Sequence, residues 1–186
     1  MVYNLIEKCR SYRRFDASKP IPRDTLISFV KSARVTGSGA NRQKLRYSLY
    51  VDKAECDRIF STLKFAAYLT EWSGPRVEER AVAYIVISSD SELNAITGID
   101  LGLAAEAIAL TAAEEGIGYC MFASFDKNDV KSLIGGDNVP HIVLAFGYPS
   151  ETVLIEDAVD GNTRYYRDEL DRHIVPKLPL DELIIN

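Results

Sequence analysis

Arg10-Ser11-Tyr12-Arg13-Arg14-Phe15-Asp16 is the stretch on which the reading of this chain turns. Asn4 is a suitable N-cap, so the pattern predicts a first helix over residues 5–12, with the cluster at its end. On such a helix Arg10 and Arg13, three apart, share a face. Paired guanidinium groups grip phosphate or a carbonyl edge through directed N–H donors. A solvated basic patch balanced by Asp16 explains the same residues without a ligand.

A second segment, Ser38-Gly39-Ala40-Asn41-Arg42-Gln43, follows after one amphipathic helix. Leu26, Phe29, Val30 and Ala33 mark the buried face of that helix, and Asp24 is its expected cap. Gly37 and Gly39 permit unusual backbone angles, while the amides of Asn41 and Gln43 both donate and accept. Alone, this is an ordinary polar loop. Together with the first segment it can hold the polar edge of a flat heterocycle.

Further strands are expected at 47–51, 82–88, 119–122 and 141–146. Helices are expected at 53–63, 98–115 and 127–134, the last capped around Asp126 and Asp129. The 98–115 helix is apolar nearly all round and stops at Gly116, so it needs cover on every side. The last 35 or so residues read as a polar, loop-like tail with a hydrophobic end, Leu183-Ile184-Ile185. No GxGxxG follows a strand, which leaves the doubly wound nucleotide-binding fold without its fingerprint. A single α+β domain fits the element order better.

At 186 residues the chain is long enough for one domain with a core; such domains bury roughly 70% of their unfolded surface. The net charge of −5 argues against broad nucleic-acid binding. Polar residues interrupt the N-terminus, so no signal peptide is expected, and Glu106 interrupts the most apolar helix, so no membrane span is expected. Cys9, Cys56 and Cys120 form no CxxC pair, and His141 and His173 are the only histidines. Neither a metal site nor a disulfide framework is indicated, and reduced thiols suit a cytoplasmic location.

In order and spacing these segments resemble the nitroreductase family. The resemblance rests on the Arg-Ser-x-Arg signature, the Ser/Asn/Gln loop about 25 residues later, Gly116-Ile117-Gly118-Tyr119-Cys120-Met121-Phe122-Ala123-Ser124-Phe125, the strand ending Gly147-Tyr148-Pro149, and His173-Ile174-Val175-Pro176-Lys177. It implies a small antiparallel-rich sheet flanked by helices, bound FMN, and a homodimer with residues 151–186 docked on the partner subunit. Arg10, Ser11 and Arg13 would hold the FMN phosphate and the N1–C2=O edge. Ser38, Asn41 and Gln43 would contact the ring, partly across the dimer. Ala123 and Ser124 would offer backbone groups near N5, and Lys177 or Arg167 would reach the phosphate.

The implied activity is hydride transfer from NAD(P)H through flavin N5 to a nitro-, quinone- or enone-type acceptor, in ping-pong order, with no catalytic side chain. A flavin-binding protein with little turnover and a helix-rich interaction module are the competing readings. The chain departs from the family at Cys9, where many members have arginine, at Gly37 in place of proline, and at Lys44-Leu45 in place of Pro-Trp.

Overall fold

The computed structural model describes residues 1–186. Helix α1 (Val2–Lys8) and α2 (Arg23–Arg34) precede β1 (Arg46–Tyr50), α3 (Lys53–Thr62) and β2 (Ala83–Ser89). Then come α4 (Ala95–Glu114), β3 (Gly118–Phe122), α5 (Lys127–Ile134) and β4 (Val139–Gly147). The C-terminal region adds β5 (Val153–Asp157), β6 (Tyr166–Arg167), β7 (His173–Lys177) and the single turn α6 (Leu180–Leu183).

The main sheet has the order β1-β2-β4-β3 and is antiparallel throughout. Central strand β2 is buried at every position, which is why it reads in sequence as a run of apolar residues up to Ile87. Its residues alternate between two cores. Ala83, Ile85 and Ile87 join Leu26, Phe29 and Ala33 of α2 and Leu101, Ala104, Ala105 and Ile108 of α4. Tyr84 and Val86 pack on the other face with Cys56 and Ile59 of α3 and Val130 of α5. The fold is therefore α+β, with helices on both faces of a small antiparallel sheet.

Side chains start three of the helices. Asp52 accepts from Ala54 N and Glu55 N, Asp126 from Asn128 N and Asp129 N, and Asn94 from Thr97 N. Each such cap stabilises a helix start by about 1 kcal/mol. Helix α4 thus begins at Ala95, earlier than expected, and ends before Gly116, whose φ of +72° suits glycine. At this length it has, by length and composition alone, what crossing a bilayer requires. The fold uses it as a core helix, burying Leu101, Ala104, Ala105, Ile108, Ala109 and Ala112.

Three expectations are corrected. First, α1 starts from Met1 and ends at Lys8, and Cys9 is already extended. Arg10, Ser11 and Arg13 therefore do not share a helical face. The open edge of β3 offers the backbone better partners: Ser11 bridges Tyr119 in parallel, and Tyr12 N donates to Tyr119 O at 2.8 Å. Second, Pro22 occupies the cap of α2, leaving Asp24 inside the first turn.

Third, the tail is not loop-like. Strands β5, β7 and β6 form a second sheet in that order. Pro176 reads as a breaker, but β6 pairs only as far as Ile174, so β7 lacks a neighbour on that side at the proline.

Candidate functional site

Residues 11–16 cross the ends of β3 and β4 as a strap. Phe15 N donates to Glu79 O, Asp16 N to Tyr148 O, and Ser150 N to Arg14 O. Two glycines admit it. A Cβ at Gly118 would come within 2.7 Å of the Tyr12 ring, and one at Gly147 within 2.6 Å of Phe15 Cβ. The strap sets the arginine side chains at the rim of a cleft of about 360 Å³. Arg10, Ser11, Arg13, Glu106, Tyr165, His173 and Lys177 are among the residues that line it.

The second sheet closes this cleft. Glu151 accepts the backbone N–H groups of Arg13 and Arg14 with one oxygen, and Arg167 Nη2 at 2.6 Å with the other. Arg14 pairs with Asp171 and lies 3.7 Å from Glu79. The Arg13 guanidinium stacks 4.7 Å over the Tyr165 ring, and its Nη1 lies 2.9 Å from His173 Nε2. Burial, then the Arg13 charge, pushes the His173 pKa down to about 4. The inner part of the tail, through β7, folds against its own chain.

Among the lining residues, two buried donors, Arg10 Nε and His173 Nδ1, have no protein partner. Unmatched buried donors are uncommon, and here they accompany the Ser11 hydroxyl and three cations against one carboxylate, Glu106. That donor set fits a phosphate monoester such as the end of FMN. Of the two C-terminal cations, Lys177 lines the cleft. Arg167 does not: it is engaged with Glu151 and Asp171 and lies over Trp72.

The Ser38 loop forms a different place. Ser38 and Gln43 line a second cleft of about 330 Å³, together with Arg34, Arg46, Tyr47 and Asp100. No residue lines both clefts. Asp100 builds the loop: it accepts from Gly39 N at 2.9 Å and from the Ser38 hydroxyl at 2.8 Å, while Ser38 Oγ accepts from Gln43 N at 3.0 Å. Ala40, Asn41 and Gln43 have φ of 51°, 53° and 49°. Such angles in non-glycine residues store strain and cluster at functional sites. The two amides bond each other, Gln43 Nε2 to Asn41 Oδ1, at 3.0 Å.

Ala123 and Ser124 follow β3 and are exposed; the Ser124 carbonyl accepts from Lys64 N at 3.0 Å. Sequence reasoning missed Asp100, Glu151 and Tyr165 and gave His173 no role. Asp100 carries a signal, a lone carboxylate between Ile99 and Leu101 on an apolar helix. The other three show themselves only once the tail is folded.

A model of the Nitroreductase family matches residues 6–148. The chain belongs to the nitroreductase family. An iodotyrosine deiodinase from Thermotoga neapolitana is 27% identical over 173 residues, 81% of this chain and 90% of the relative. A nitroreductase family protein from Streptococcus pneumoniae superposes with a TM-score of 0.69 over all of both chains, at 15% identity. An FMN-dependent nitroreductase from Mycobacterium smegmatis, solved with NADPH, gives 0.64 at 16% identity, covering 80% of this chain and 87% of that one. At these identities the structural likeness is one of fold. The family match takes in the strap and the Ser38 loop, and it ends before the second sheet that carries Tyr165, His173 and Lys177.

Proposed function

We propose that this nitroreductase-family chain is an FMN-dependent oxidoreductase that works as a cytoplasmic homodimer, with NAD(P)H as donor and a nitro-, quinone- or enone-type acceptor. The observation that carries the reading is the donor-lined cleft, where Arg10 Nε and His173 Nδ1 lack protein partners beside Ser11, Arg13 and Lys177. FMN held there would supply two-electron hydride chemistry, consistent with a ping-pong order. Arg10 and Lys177 hold the phosphate by charge, and Ser11 adds a hydroxyl donor. Arg13 would bring positive charge to the N1–C2=O edge, and the backbone at Ala123 and Ser124 would serve N5. Ser38, Asn41 and Gln43 complete the ring site from a second copy.

Support for the second copy comes from the uncovered outer stripe of α4. Ile96, Ile99 and Leu103 are 50%, 64% and 47% exposed in the single chain. The same helix lines both half-sites, with Asp100 and Ala104 at one and Glu106 at the other. Pairing along it would bring the Ser38 loop of one copy to the Arg10 cleft of the other.

A second reading, flavin binding with little turnover, is favoured by Cys9, a buried thiol lining the cleft where a further cation is common in the family. One anaerobic experiment separates them. The bound cofactor is identified by mass, reduced with NADH or NADPH, and reoxidised with nitroaromatic, quinone and enone acceptors. The deiodinase relative adds a halogenated tyrosine to that set. Bleaching followed by acceptor-dependent recovery supports the oxidoreductase, bleaching alone supports the binding protein, and a colourless protein that takes up no FMN overturns both.

A further inference from the structure

We propose that His173 is the positioning residue of the cleft: its neutral imidazole fixes the guanidinium of Arg13 so that the opposite edge of that guanidinium faces the N1–C2=O edge of the bound flavin. The inference rests on the flavin reading above and assigns a role to a residue beyond the span that the family model matches.

Arginine has donors only, so a nitrogen 2.9 Å from Arg13 Nη1 must accept. His173 Nε2 therefore carries no proton, and the ring hydrogen sits on Nδ1. His173 is 1% exposed, and its ring packs 5.2 Å from Tyr165, which in turn carries the Arg13 guanidinium on its face. Arg13, Arg167, Glu151 and Tyr165 surround the imidazole, and Lys177 and Glu106 line the same cleft. Burial and the two arginines outweigh Glu151 and keep the ring uncharged.

The geometry selects an edge of Arg13. Nη1 is committed to His173 and, at 3.3 Å, to the Ser11 carbonyl, while Nε and Nη2 bond nothing in the protein. The Nε–Nη2 pair is a planar fork suited to two parallel N–H bonds to adjacent acceptors such as N1 and the C2 carbonyl. The Arg13 backbone is held as well, through its N–H to Glu151. A long side chain is thus ordered before the cofactor arrives, and the entropy of fixing it is not charged to binding.

The test is a double-mutant cycle on FMN affinity, read by flavin fluorescence quenching on apoprotein, with thermal melting of each apoprotein alongside. His173→Phe keeps a ring on Tyr165 and removes the acceptor; it should weaken FMN binding by roughly three- to tenfold. His173→Gln, whose side-chain oxygen accepts, should recover most of that loss. In an Arg13→Ala background, the loss from His173→Phe should be much smaller, no more than the Nδ1 donor contributes by itself. If His173→Phe does not fold, His173→Leu takes its place in the cycle. FMN affinity unchanged in the folded variant, or an equal loss with and without Arg13, overturns the proposal. A wild-type chain that binds no FMN overturns the flavin reading and this inference with it, so the two failures are distinct.

Discussion

The Ser38 hydroxyl donates to Asp100 Oδ2 at 2.8 Å, tying the strained loop after α2 to a helix 62 residues further along the chain. The carboxylate is buried and also holds Gly39 N. Asp100→Ala leaves a hydroxyl and an amide without their acceptor. It should destabilise the fold by about 1–3 kcal/mol. Urea unfolding checks this, and Asp100→Asn, which keeps one acceptor oxygen, should lose less.

Gly147→Ala should destabilise the chain by roughly 1–3 kcal/mol. The added Cβ would meet Phe15 at its own Cβ, 2.6 Å away, where no rotamer change relieves it. The strap backbone cannot retreat easily, because Phe15 N and Asp16 N are bonded on either side to Glu79 and Tyr148. A variant with unaltered urea midpoint would show that the strap is free to shift.

Acid should weaken the fold through His173. The unfolded imidazole titrates near 6.5 and the folded one near 4, so the unfolded chain binds the extra proton between those values. The stability it contributes is present in full above about pH 6.5 and is lost as pH falls through 4. The loss amounts to at most about 3 kcal/mol. His141, whose pKa is lowered chiefly by burial, acts in the same direction. Denaturant midpoints between pH 4 and 7 should fall toward acid in the wild type and fall less in His173→Phe. Parallel curves for the two proteins would contradict this.

Removing residues 178–186 should loosen the dimer and release flavin together. The cut leaves the second sheet intact and takes away α6 and the exposed Ile184 and Ile185. Ile99→Glu on the outer stripe of α4 should do the same by placing charge on the proposed interface. Sedimentation velocity with flavin absorbance reads both; a flavin-loaded monomer at micromolar concentration would disprove the shared site.

Much of the architecture was legible because its signals are local. β2 and β4 are buried on both faces and so are largely apolar, Leu26, Phe29 and Ala33 show the inner face of α2, and Asp126 announces the helix it caps. What was not legible depends on distant partners. Nothing in Cys9-Arg10-Ser11 forbids helix; the chain leaves it because Tyr119, over a hundred residues on, offers an edge to pair with. Strand β7 hides behind Pro176, whose missing N–H matters only if a neighbour waits on that side. The Arg10 cleft and the Ser38 loop read as one site in sequence and stand apart in the single chain.

The contact between Arg13 and His173 joins positions 160 apart. During synthesis β4, which completes the main sheet, is made before the strand bearing His173. The cleft between Arg13 and His173 is accordingly among the last parts of the fold to form, closing by a long loop rather than by local propagation. A nascent chain would fold first as an open scaffold, and would gain the cleft proposed for FMN only when β7 returns to the strap.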